Sequence, residues 1–182
     1  LSDHEEYFDN QTIKEYCDTH SFEGKKNQIL SVPPSYSKSQ SLTFLVGLGE
    51  DKEDNNFYDI GTLIGSKIKS DAEIKFLNFE DEKSLIIDGI LYAQYKFNNY
   101  KSEDDSSINN ITFKDIDSSV NEIKKDSVFW VRDLINTPAL DKSPEEFINK
   151  VKKLVDSSTI DVEVYDKKWL EENDFGGVLG VG

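Results

Sequence analysis

Few residues in this sequence have the types and spacing that chemistry requires. His4 and His20 are the only histidines, and no pair stands at the helical spacing that would place two metal ligands on one face. Cys17 is the single cysteine, which excludes an internal disulfide and a thiolate metal site. His20 follows it by one helical turn, so geometry alone allows an activated thiol, while an inert thiol is the plainer expectation. Gly47-Leu48-Gly49 leaves an apolar run as a dinucleotide fingerprint would, but the third glycine of that pattern falls on Lys52, in an acidic loop. A tight turn leaving a strand explains it better. Glu50, Asp51, Glu53 and Asp54 lack the mid-loop glycine of a calcium hand, and Glu103-Asp104-Asp105 is a plain charge run. No G-x-S-x-G elbow occurs. The residues themselves give no catalytic, metal-binding or cofactor-binding site.

The frame that would position a site is marked more clearly. Of 182 residues, 36% are hydrophobic, with 11 Phe, 8 Tyr and 2 Trp. That is enough for a packed core and too much for a disordered chain. The net charge of -15 repels phosphate backbones, so nucleic acid is not an expected partner. No apolar run approaches the roughly 20 residues of a membrane span, and Leu1-Ser2-Asp3-His4-Glu5-Glu6 is not the start of a signal peptide. With one cysteine, a reducing, cytoplasmic setting is expected. The sequons at Asn10 and Asn110 carry no weight there. Met is absent and the chain stops inside the apolar run Val178-Leu179-Gly180-Val181-Gly182, so an excised piece of a longer protein is expected.

Along the chain, residues 1–40 read as polar and irregular, with an edge strand near Gln28 to Val32. Leu42 to Val46 reads as a strand buried on both faces. Phe57, Ile60, Leu63, Ile64 and Ile68 mark an amphipathic helix begun by Asn55 or Asn56. A strand from Ala72 to Phe79 follows, then a helix capped by Asp81 or Ser84 and carrying Leu85, Ile86, Ile90, Leu91 and Ala93. The Asn, Ser and Asp-rich stretch from Asn98 to Asn110 reads as a loop before a short strand, Ile111 to Phe113. A long helix from Ser118 to Ile135 has a stripe of Val120, Ile123, Val128, Val131, Leu134 and Ile135, and Asn136-Thr137-Pro138 ends it. Ser143-Pro144-Glu145-Glu146 is a helix start with cap, first-turn proline and capping box. Ile160 to Val164 alternates as a strand, Lys167 to Asn173 as a short helix, and Val178 to Gly182 as an apolar strand. The fold class is α/β: a mixed β-sheet flanked by helices, then a helical connector and an incomplete second α/β unit.

Three blocks add a resemblance: Phe44 to Gly49, Tyr95 to Lys101, and above all Val131-Arg132-Asp133-Leu134-Ile135-Asn136-Thr137-Pro138-Ala139. Together, and through Ser143-Pro144 and Phe147 into Phe175 to Gly182, they resemble the leucyl aminopeptidase family over roughly residues 28–182. The resemblance leaves residues 1–27 as an unmatched polar extension and implies a macro-domain-like accessory α/β domain (28–116), a helical connector (117–157) and the start of a truncated catalytic domain (158–182). It implies a cytoplasmic parent, a homo-hexamer holding two divalent metals, zinc or manganese, that removes amino-terminal residues from peptides. In such enzymes a metal-bridged water attacks the scissile carbonyl. The family's metal-binding Lys, Asp and Glu, its catalytic Lys and its bicarbonate-holding Arg belong to motifs beyond Gly182, so none carries over. Arg132, Asp133, Asn136, Thr137 and Pro138 match the connector motif, and Asn136 is expected to help fix its turn. A stand-alone macro-like module that binds a ligand or assembles subunits is the alternative.

Overall fold

A computed structural model describes residues 9–36, 42–50, 56–76, 82–101, 109–156 and 158–181. The chain divides into two compact units, Leu1–Arg132 and Asp133–Gly182.

The first unit opens with helix α1 (Asn10–Thr19), where Asp9 at the N-cap accepts from the Thr12 amide at 3.0 Å. This corrects the reading of the early chain as irregular. Ile13, Tyr16 and Cys17 fall at steps of three and four, and Ile13, Cys17 and Val32 form a small core of their own. Strand β1 (Ile29–Val32) pairs antiparallel with β2 (Thr43–Val46), with Ile29 opposite Val46 and Val32 opposite Thr43. β2 was expected to be buried on both faces, yet its four residues are only half-buried and Leu42 is exposed. A hydrogen-bonded partner lies at the edge of β2, so its faces are buried only by what packs above and below the ribbon.

Helix α2 (Phe57–Lys67) begins at Asn56, whose side chain accepts from the Tyr58 and Asp59 amides. Strand β3 (Ala72–Ile74), helix α3 (Lys83–Tyr92) and strand β4 (Ile111–Phe113) form a β-α-β unit with β3 and β4 parallel. Glu82, not Ser84, stands at the N-cap of α3, without a side-chain cap bond. Ser84 lies inside the helix, and Asp81 lies outside the described residues, as do the end of the expected strand after Phe76 and residues 102–108 of the expected loop. The main core joins Ile60, Ile64, Ile86, Ile87, Ile90 and Phe113. Gly61 and Gly89 let the backbones of α2 and α3 touch, since a Cβ at either would lie within 2.2 Å of a carbonyl oxygen on the facing helix.

Helix α4 (Ser119–Asn136) has nearly the expected extent, but of the expected stripe only Val128 and Leu134 are half-buried. Val120 and Ile123 are 62% and 67% exposed, and Val131 and Ile135 are exposed as well. The buried residue is polar Asn121. Periodicity identifies an apolar face; it does not supply a neighbour to cover it.

In the second unit, a 3-10 turn (Ala139–Asp141) leads to helix α5 (Pro144–Val155). Ser143 accepts from the Glu146 amide at 3.1 Å, with Pro144 in the first turn, as the sequence predicts. The alternating segment Ile160 to Val164 is not a strand: it pairs with none among the described residues. Helix α6 (Lys167–Glu172) is capped by Asp166. The terminal apolar run is also not a strand, because helix α7 (Gly176–Leu179) takes up its first half. A short apolar run carries no period that separates strand from helix, and strand pairing needs a distant partner.

Candidate functional site

Gly47-Leu48-Gly49 shows why the chain makes no phosphate cradle there. The Gly47 amide donates to Gln28 O at 2.7 Å and the Gly49 amide to Gly24 O at 2.9 Å. A Cβ at Gly47 would lie 2.2 Å from Lys25 O. The glycines admit the chain's own 24–28 loop, and that loop is held in turn by Gln28, which accepts from the Glu23 and Lys25 amides and donates to Ser21 O. Amides already bonded to protein carbonyls are not available to an anion.

Cys17 is 7% exposed, and burial, then the charge of Asp18, pushes its thiol up from the ordinary value. A raised pKa keeps the thiol neutral and unreactive near pH 7. His20 Nδ1 donates to Tyr16 O at 2.8 Å, and its ring lies tilted against the Tyr16 ring with centroids 4.1 Å apart. A thiol-specific maleimide is therefore expected to label the native protein far more slowly than the urea-unfolded one. Equal rates would show an accessible thiolate.

His4, Lys52, Asp51, Glu53, Asp54 and Glu103 to Asp105 lie outside the described residues. Among the described residues no group of three or more His, Cys, Asp or Glu is placed to hold a metal ion. The two divalent metals that the family resemblance implies find no donor set among these described residues. The second unit has an open, mostly apolar groove of about 270 Å³ between α5 and the extended segment, lined by Phe147, Ile148, Val151, Val162, Glu163, Val164 and Tyr165. Its two polar side chains bond to each other, Tyr165 donating to Glu163.

The connector motif is where side chains organise backbone. The Thr137 hydroxyl donates to Asp133 O at 2.6 Å, closing the end of α4, and Lys142 donates to Leu134 O at 2.7 Å. Asn136 is exposed beside them. Lys142 was missed in the sequence, although a lysine just past a helix end suits its unpaired carbonyls and dipole. Within the first unit, Arg132 donates to Tyr92 O at 3.1 Å, with its guanidinium 5.3 Å from the Tyr95 ring centre. Asn121 donates to Asp88 at 2.7 Å and to Ser84 O at 3.0 Å, and Lys124 pairs with Asp88 at 3.2 Å. Burial, and then the nearby Asp88 charge, push the Tyr92 hydroxyl above its ordinary value. Asp88 and Asn121 are 33 residues apart, and no local sequence signal joins them.

An α/β body passes through helix α4 into a second unit. Residues 1–104 match the N-terminal domain of the cytosol aminopeptidase family, and residues 129–182 match the catalytic domain of the same family. This chain belongs to the cytosol aminopeptidase family. The first match also extends the likeness through residues 1–27, which the sequence motifs had left outside it. A protein of Mycobacterium leprae described as a probable cytosol aminopeptidase is 32% identical over 112 residues, 54% of this chain and 21% of that protein. The cytosol aminopeptidase of Coxiella burnetii shares the fold with a TM-score of 0.68 at 25% identity, covering 90% of this chain and 35% of its own. The bottromycin maturation enzyme BotP in complex with Mn shares the fold alone, at 15% identity and TM-score 0.67 over 86% of this chain and 36% of that one. The chain spans about a fifth to two fifths of the length of the curated relatives it matches. Among the described residues no helix is long and apolar enough to cross a membrane.

Proposed function

We propose that this chain is the amino-terminal, non-catalytic part of a leucyl aminopeptidase-like metallo-exopeptidase that removes amino-terminal residues from peptides. The succession of two domain matches from one family, accessory then catalytic, carries the reading. In it, residues 117–157 connect the domains, with the likeness to the catalytic domain already starting at residue 129, and residues 158–182 lead into the catalytic body, whose further residues hold the two divalent metals, zinc or manganese, and carry the chemistry. The parent enzyme works in the cytoplasm as a homo-hexamer.

The competing reading, a macro-like ligand-binding module, is tested by thermal melting of this chain with ADP-ribose and with manganese. A ligand that binds only the folded state raises the melting temperature, by about 2.7 kcal/mol of stability at a hundredfold excess over Kd. No shift is expected from either. A saturable shift with ADP-ribose would favour the binding module, and one with manganese would place a metal site within these residues.

A further inference from the structure

Helix α4 meets the first unit through polar and aromatic side chains. Asn121 is 5% exposed and gives its amide protons to Asp88 Oδ1 at 2.7 Å and to Ser84 O and Oγ at 3.0 and 3.2 Å. Lys124 closes on the other oxygen of Asp88. Arg132 comes eleven residues after Asn121, close to three full turns, so both project to one side of the helix. It reaches the Tyr92 carbonyl while Phe129 meets Tyr95 edge to face, their centroids 5.1 Å apart. The exposed apolar residues Val120, Ile123, Val131 and Ile135 centre on a different side. Apolar helix contacts tolerate a shift of register, whereas a buried directional hydrogen bond is satisfied in one, which is how single buried polar residues fix helix pairing.

We propose that the Asp88–Asn121 pair is a register lock: it positions α4 on α3 and so fixes the direction in which the polypeptide leaves the first unit. Its purpose rests on the reading of α4 as the link between the two family domains; the lock itself is a property of this chain. Asp88 and Asn121 are positioning residues and take no part in chemistry.

Spin labels at Lys67→Cys and Ser127→Cys, in a Cys17→Ala background, report the α2 to α4 distance by pulsed electron paramagnetic resonance. Both label sites are exposed. The parent is expected to give one narrow distance distribution. The paired variant Asp88→Leu with Asn121→Leu is expected to keep a cooperative melt and to give a distribution at least twice as broad. Asp88→Asn, which still accepts from Asn121, is expected to restore the narrow one. A narrow distribution in the leucine pair would overturn the proposal, as would broadening in Asp88→Asn equal to that of the leucine pair. Should the leucine pair not fold, Asn121→Ala, which leaves Lys124 opposite Asp88, decides: broad supports the lock and narrow refutes it. None of these readings depends on peptidase activity, so the lock can fail while the family assignment of α4 stands, and the reverse.

Discussion

Gly89→Val is expected to abolish folding of the first unit, and Gly89→Ala to lower its stability by about 2 kcal/mol. A Cβ at Gly89 would lie 2.2 Å from Tyr58 O and 2.8 Å from Thr62 N, and one at Gly61 would lie 2.1 Å from Ile86 O. The atoms met are backbone, so no rotamer change relieves the overlap; α2 and α3 must separate and uncover Ile60, Ile64, Ile86 and Ile90 between them. Overpacking of this kind costs about 3 kcal/mol at the upper end of its usual range. Against it stands the gain of about 1 kcal/mol when alanine replaces glycine in a helix. Gly177→Ala is the control, because nothing lies within 4 Å of its added carbon. Urea unfolding checks this: the Gly89→Ala midpoint should fall with an unchanged slope and that of Gly177→Ala should not. Equal midpoints for parent and Gly89→Ala would mean the helices do not cross at van der Waals contact.

Ile90→Ala is expected to cost about 2 to 5 kcal/mol, the range for emptying a fully enclosed aliphatic site. Ile123→Ala should stay within about 0.5 kcal/mol, as exposed substitutions do. Ile90 is fully buried and Ile123 is two-thirds exposed, yet both are isoleucines within helices and look alike in the sequence. Chemical denaturation of the two variants measures the difference. A large loss for Ile123→Ala would show that the α4 stripe is already covered in this chain.

That contrast marks what could be read beforehand. Elements with local signals were legible: α2 with its Asn56 cap, α5 with Ser143 and Pro144, and β4 between its loop and turn all lie where the residues put them. α1 was also written in the spacing of Ile13, Tyr16 and Cys17, but its polar surroundings hid it. What depends on distant partners was not legible. The alternation of Ile160 to Val164 and the apolar run at Val178 both demand neighbours that the period cannot name. For the same reason, Gly47 read as a turn residue, when its hydrogen atom makes room for Lys25 O. The polar docking of α4 was hidden most deeply, because Asn121 has no meaning until Asp88 is brought beside it. The connector motif pointed correctly to the family, and its Thr137 bonds back to Asp133 O as a turn-fixing side chain should; Lys142, which adds a bond to Leu134 O, lay outside the motif.

Release of free leucine from a short leucine-initiated peptide, with manganese present, puts the reading of this chain as exopeptidase scaffolding to the plainest trial. The 182 residues alone should release nothing above the metal blank, while the product of the complete gene should release leucine and lose that activity when the metal is chelated. Turnover by the 182 residues themselves, or none by the complete gene product under the same conditions, would contradict it.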